Sequence, residues 1–319
     1  MTFSPRTYSA PLSWQAHSLK AIFGLRRALR RQRDHNADTT QYLEQKRTSA
    51  DGWTRWLKPA PGIDCGPANL PGLAAEWIRH PAYRSSGPVM LHLHGGSYTG
   101  GSITSHRPLV SNIARVTRGR ALLIEYRLAP EHPFPAALDD AVMVYRWLLQ
   151  NDIHPQQIVI SGDSSGGGLA LAALLALRDG GQPLPAAAVC ISPWTDMVCD
   201  SETWVTNEPH DVFANTQSAR RSAKMYLNGL DPRTPLASPL YADLGRLPPI
   251  LIQVGSEEVL LNDSVRFAEK AHQAGVDVRL EVWKGMTHGW HYAAPFLPEG
   301  RAAIEAIGKF IVDKIGRAG

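Results

Sequence analysis

Three features of this 319-residue chain predict an α/β fold built on a mostly parallel, twisted central sheet flanked by helices. Strand-like and helix-like segments alternate from about residue 70 onward, the pattern of a sheet with helices packed on it. Several of the strand-like runs are continuously apolar, as strands covered on both faces must be. With 44% apolar and 19% charged residues the composition is that of an ordinary globular chain, long enough for one large α/β unit or two smaller ones without covalent staples.

Pro and Gly punctuate the chain into its elements. Strand patterns read at Gly72 to Arg79, Val89 to Leu93, Ala121 to Tyr126, Gln157 to Ser161, Ala187 to Ile191, Ile250 to Val254 and Val276 to Trp283. Between them, helical periodicity reads at Pro108 to Arg118, Ala137 to Gln150, Leu169 to Arg178, Asp263 to Ala274 and Ala302 to Ile315. Two stretches stand outside this alternation: residues 1–60, and roughly residues 195–244, which are rich in Trp, Pro, Asn and Asp. Together they are expected to form a cap over a catalytic domain of residues 61–319.

Several function classes are set aside at this level. The longest apolar run, Leu169 to Leu177, is about half of the roughly 18–20 residues that cross a bilayer, so no stable membrane insertion is expected. Three cysteines make no disulfide framework, and Cys190 sits in a strand pattern as a small hydrophobe; a cytoplasmic setting is the expectation. The net charge of +4 is uneven, because residues 1–50 hold nine Lys or Arg against three Asp or Glu. There Leu19, Ile22, Leu25 and Leu29 form one helical stripe opposite Arg26, Arg27, Arg30 and Arg31. The favoured reading is a solvated helix whose apolar stripe packs on the rest of the chain. A membrane-surface contact, a transit peptide and a nucleic-acid arm are its competitors.

Chemistry begins at Gly162-Asp163-Ser164-Ser165-Gly166-Gly167, which follows one strand pattern and opens a helix. A G-x-S-x-G sequence in that setting reads as a nucleophile elbow: a tight turn lifts Ser164 above the sheet, beside a helix N-terminus that favours developing negative charge. A glycine-rich turn alone carries no reactivity; the strand-turn-helix placement separates the two readings. His94-Gly95-Gly96-Ser97 follows the run Val89 to Leu93, where the amides of Gly95 and Gly96, with that of Ser165, are expected to hold a tetrahedral oxyanion. His92 and His94 at alternate positions suggest a metal, yet no Cys/His/Asp set at zinc-like spacing accompanies them.

A serine hydroxyl needs a base, and His288, in the loop after the last strand pattern, is the candidate. His291 is an alternative three residues on, while His210 and His272 fit less well. An orienting carboxylate is expected between serine and histidine in chain order. Glu257, Glu258 and Asp263 all follow the run Ile250 to Val254; Asp263 reads as the start of a helix, and spacing does not choose between the two glutamates.

These blocks resemble the hormone-sensitive lipase family of α/β-hydrolase carboxylesterases over most of residues 70–315. His94 to Tyr98 resembles that family's HGG oxyanion motif and Gly162 to Gly167 its GDSAGG elbow; Tyr126 to Ala136 and Ser192 to Asp196 resemble two further blocks, all in family order. Ser97 stands where many members have a third glycine, Ser165 in place of alanine, and Glu125 in place of aspartate. The resemblance implies an α/β-hydrolase fold with a helical cap, a serine carboxylesterase acting on short- to medium-chain esters through an acyl-enzyme on Ser164, and no cofactor or metal. It places the acid about thirty residues before His288, hence at Glu258, with Ala274-Gly275-Val276 in register. A small-molecule ester is the implied partner, nucleic acid is not, and a homodimer is expected. Tyr126 and Arg127 are expected to anchor a strand-loop junction, Trp194 and Asp196 to support the pocket, and Trp14, Trp53, Trp56, Trp204 and Phe213 are candidates to line it. Hydrolysis of an amide, a lactone or an acetylated small molecule is the nearer alternative. A non-catalytic ligand-binding homologue is the more distant one, disfavoured because His288 is present.

Overall fold

Alternate side chains of a strand face opposite sides of a sheet, so each strand feeds two cores. The computed structural model, which describes residues 3–22, 24, 39–54 and 56–316, follows that rule closely. Its strands are β1 (Arg6–Tyr8), β2 (Asp64–Pro67), β3 (Ala75–Arg79), β4 (Val89–Leu93), β5 (Arg120–Ile124), β6 (Ile158–Asp163), β7 (Ala187–Ile191), β8 (Ile250–Gly255) and β9 (Val278–Trp283). Its helices are α1 (residues 14–22), α2 (Thr39–Thr54), α3 (Ile103–Thr117), α4 (Ala136–Gln150), α5 (Ser165–Asp179), α6 (Thr203–Thr206), α7 (Thr216–Leu227), α8 (Leu261–Gln273) and α9 (Pro298–Ile315).

The nine strands form one sheet in the order β1-β9-β8-β7-β6-β4-β5-β3-β2. Pairings involving β2 and β3 are antiparallel and the others are parallel. Leu91, Ile160, Cys190 and Ile252 face one core with Leu138 and Val144 of α4, Leu171 and Leu174 of α5 and Phe267 of α8. Their neighbours Met90, Val159, Val189 and Leu251 face the other, with Leu109 and Ile113 of α3 and Ile304 and Ile307 of α9. Helices on both faces account for the uninterrupted apolar strands.

Two starts differ from expectation, and both bear on the site. α3 begins at Ile103 rather than near Pro108, because Ser102 caps it and Ser105 closes a capping box; the added turn carries His106. α5 begins at Ser165 rather than near Leu169, since its glycines are needed for close packing rather than for a turn.

The expectation that residues 1–60 belong wholly to a cap needs one correction. Arg6–Tyr8 pairs in parallel with Glu281–Trp283 as the sheet's edge strand. The Tyr8 ring stacks on Trp283 at 4.2 Å, and its hydroxyl donates to Glu281 at 3.2 Å. Of the amphipathic stripe, Leu19 packs beside the cluster containing Trp283, Met286 and Trp290, whereas Ile22 is exposed. Leu25, Leu29 and the four arginines opposite lie outside the described residues. Among the described residues no helix is long and apolar enough to cross a membrane.

Leu91 is fully buried at the centre of β4. Leu91→Ala is expected to cost about 2–5 kcal/mol, measured as a lower urea midpoint with an unchanged denaturant slope.

Candidate active site

The sharp end of β6 sets the geometry. Ser164 lies between β6 and α5 with φ 55° and ψ −123°, a conformation that side-chain-bearing residues adopt at a cost of about 1–3 kcal/mol. The turn is held by the Ser164 amide donating to Ile191 O at 2.8 Å and its carbonyl accepting from Trp194 N at 2.9 Å. It also requires close backbone approach: a Cβ at Gly162 would collide with the carbonyl of Gly166.

Beside the elbow, the loop after β4 turns on Gly96, at φ +126°, where a Cβ would strike the carbonyl of Gly100. The amides of Gly96 and Ser165 have no hydrogen-bond partner among the described residues. Gly95 is different. Its amide donates to Asp163 Oδ1 at 3.1 Å and lies 2.9 Å from His106 Nε2, so it is committed inside the protein. The expected trio of oxyanion donors is therefore reduced to Gly96 and Ser165, with Gly95 tying their loop to the elbow.

Asp163 is the buried centre of that tie. His106 Nε2 stands 3.3 Å from Oδ2, His92 Nε2 3.3 Å from Oδ1, and the Tyr292 hydroxyl donates at 3.2 Å. Burial would raise its pKa, but the facing histidines and their hydrogen bonds hold it well below the usual carboxylate range. His92 is also bonded through Nδ1 to Ser161 Oγ at 2.8 Å, and His94 stacks on Tyr126 at 4.1 Å, with burial pushing its pKa down to about 3. Among the described residues no three or more His, Cys, Asp or Glu side chains are grouped to hold a metal ion.

The loops after β8 and β9 bring Glu258 and His288 together, with His288 Nδ1 2.8 Å from Glu258 Oε2. Glu258 is fully buried, and its other oxygen accepts from Ser192 Oγ at 2.8 Å and from Gly255 N at 2.6 Å. Glu257 turns away to Lys20 of α1, at 2.6 Å. Burial favours the neutral imidazole, yet the hydrogen bond and charge of Glu258, with Asp211 and Asp163 behind it, outweigh burial and lift the His288 pKa to about 9. The Ser164 hydroxyl is hydrogen-bonded to none of the described residues, His288 included.

The other candidates fall elsewhere. His291 is buried with Nε2 2.7 Å from Gln253 Oε1, and burial drives its pKa down to about 3. Asp263 caps no helix of its own; Thr195 N and Asp196 N donate to it, each at 3.0 Å, and burial raises its pKa to about 7. Tyr126 and Arg127 are anchors, the first donating to His94 O at 2.6 Å and the second paired with Asp140 at 2.8 Å. Phe213 lines an open, largely apolar pocket with Leu19, Met286, His288, Trp290 and Leu297. Trp14 and Trp56 are exposed instead, Trp204 is buried against Asp263, and the Trp53 side chain lies outside the description. Sequence reading missed Ser192 and Asp211. Ser192 opens a quoted block, but nothing marked Asp211 within its irregular segment.

A protonated His288 cannot accept the serine proton. The rate at which a fluorophosphonate labels the protein is therefore expected to rise with pH through about 9. Glu258→Gln is expected to slow labelling on the order of 10⁴-fold and to move that rise to lower pH; a variant with the same rate and the same profile contradicts the pairing.

Residues 90–292 match the family described as alpha/beta hydrolase fold. An acetyl-hydrolase of Streptomyces hygroscopicus is 52% identical over 237 residues, covering 74% of this chain and 79% of the relative. An esterase of Acinetobacter venetianus is 38% identical over 261 residues, 82% and 86% of the two chains. The crystal structure of an esterase from the bacterial hormone-sensitive lipase family superposes with a TM-score of 0.88 at 43% identity, covering 96% of this chain and 99% of that one. A hormone-sensitive lipase homologue from a metagenome library gives 0.86 at 32% identity, covering 94% and 98%. With its elbow, its glycine loop and its histidine-carboxylate pair in the order those blocks require, the chain belongs to the hormone-sensitive lipase family of α/β-hydrolases.

Proposed function

We infer that this chain is a serine carboxylesterase that hydrolyses short- to medium-chain esters through an acyl-enzyme on Ser164. The observation that carries the reading is the 2.8 Å contact between Glu258 and His288 at the same sheet end as the strained Ser164. His288 takes the proton of Ser164 as its oxygen attacks the ester carbonyl, and the tetrahedral oxyanion faces the amides of Gly96 and Ser165. The imidazolium, stabilised by Glu258, returns that proton to the departing alkoxide. Water activated by His288 then attacks the acyl carbonyl, releasing the carboxylate and restoring Ser164. No step calls on a cofactor.

Helices α1 and α2 with residues 195–244 form the cap that selects the substrate in this proposal. Leu19 on α1 and Phe213 before α7 supply pocket walls beside His288, and the Lys20–Glu257 pair fastens α1 to the loop of the acid. A relative named acetyl-hydrolase favours the short end of the acyl range, acetylated small molecules included.

Fluorophosphonate labelling followed by peptide mapping is expected to find Ser164 modified, and to find no modification in His288→Ala. With p-nitrophenyl esters from acetate to laurate, kcat/KM is expected to peak below the laurate; a maximum there contradicts the chain-length assignment.

A further inference from the structure

Asp211 sits in the irregular stretch between α6 and α7, and none of its surface reaches solvent. A carboxylate so placed must be satisfied by the protein. Its Oδ1 accepts from the amides of Phe213 and Ala214, each at 3.0 Å, and its Oδ2 from the amide of Val259 at 3.0 Å. Phe213 is a wall of the pocket beside His288, and Val259 directly follows the acid Glu258. One side chain thus spans from the pocket wall to the triad loop.

Two further side chains stitch the same pair of segments. Asn207 Nδ2 donates to Ser256 O at 3.1 Å and to Glu258 O at 2.9 Å, and Thr203 Oγ1 donates to Val259 O at 2.7 Å. These bonds fasten the segment but reach no pocket residue. Asp211 alone among the three also brings a negative charge to His288, in addition to those of Glu258 and Asp163.

We propose that Asp211 is a positioning residue: its carboxylate fixes Phe213 against the Glu258 loop, so that pocket wall and base-acid pair keep one spacing. The role rests on the serine-esterase reading, in which His288 passes between its neutral and protonated forms in every turnover. Loss of the bridge lets Phe213 and the Glu258–His288 pair shift apart, and small misplacements of reacting groups are costly in rate. Loss of the charge makes the imidazolium harder to form.

The test uses the full chain, with rates per active site counted by fluorophosphonate titration. Asp211→Asn keeps the shape but removes the charge and presents an NH₂ group to at least one of the three amides. Its kcat for p-nitrophenyl butyrate is expected to fall about tenfold or more, and the acid limb of kcat/KM to move about one pH unit lower. Asp211→Glu keeps the charge on a longer arm, so its limb is expected to stay in place while kcat falls. Asp200→Asn, at an exposed position before α6, serves as control and is expected to change neither. A merely structural role lowers the number of titratable sites without changing kcat per site or the limb, and that result overturns the proposal. Should Asp211→Asn give no folded protein, Asp211→Glu decides: an unchanged kcat per site overturns it. Ser164→Ala separates the two readings, because turnover that survives it removes the serine mechanism, whatever Asp211 does.

Discussion

A negative charge buried under the elbow is the constraint on which the rest of the site depends. Asp163 occupies the residue before the nucleophile, almost out of reach of water, and a carboxylate there is tolerable only if the protein solvates it. It draws that solvation from four places: the Gly95 amide after β4, His106 at the start of α3, His92 within β4 and Tyr292 beyond β9. Each partner is thereby fixed relative to Ser164. The glycine loop that presents Gly96 is held by electrostatics from within the sheet, which explains why Gly95 is engaged inward rather than offered to a substrate.

Three acids near His288 are set apart by their surroundings. Glu258 contacts the ring directly and spends its second oxygen on Ser192 and Gly255, which leaves one bond and one orientation for the imidazole. Asp163 solvates the loop opposite, and Asp211 joins the pocket wall to the acid loop. Charge that would be unfavourable singly is spread over donors drawn from nearly every loop at the carboxyl end of the sheet. The backbone strain at Ser164 is maintained by the same surroundings, through Ile191, Trp194 and the close approach of Gly166. The elbow and the Glu258–His288 pair thus sit at the ends of strands, while Phe213 of the pocket wall comes from a less regular segment.

The parallel core was legible because its signal is strong: Val89 to Leu93 and Ala187 to Ile191 are strands to the residue, being apolar but for His92 and having Gly or Pro within two positions of each end. β1 and β2 left no such trace, since short edge strands with one partner bury little and carry no apolar alternation. α3 was read late because Pro108 looks like a helix start, whereas the Ser102–Ser105 capping box had already begun it. In the site, Ser164 and His288 followed from motif and setting. Glu258 needed a family register, since Glu257 is equally close in sequence and only three dimensions turn it toward Lys20. Asp211 was invisible because its partners are backbone amides, which have no residue type to read.

The edge strand β1 has a consequence for the order of events at the ribosome. Tyr8 meets Glu281 across 273 positions, so the N-terminal segment emerges from the exit tunnel long before the strand it pairs with has been translated. Leu19, a few residues further on, must likewise wait for Met286 and Trp290. A nascent chain with its elbow already folded still lacks His288 and one wall of the pocket beside it. The pocket wall and the Glu258–His288 pair are therefore assembled only once β9 and the loop beyond it have been made, when β1 and Leu19 meet their partners.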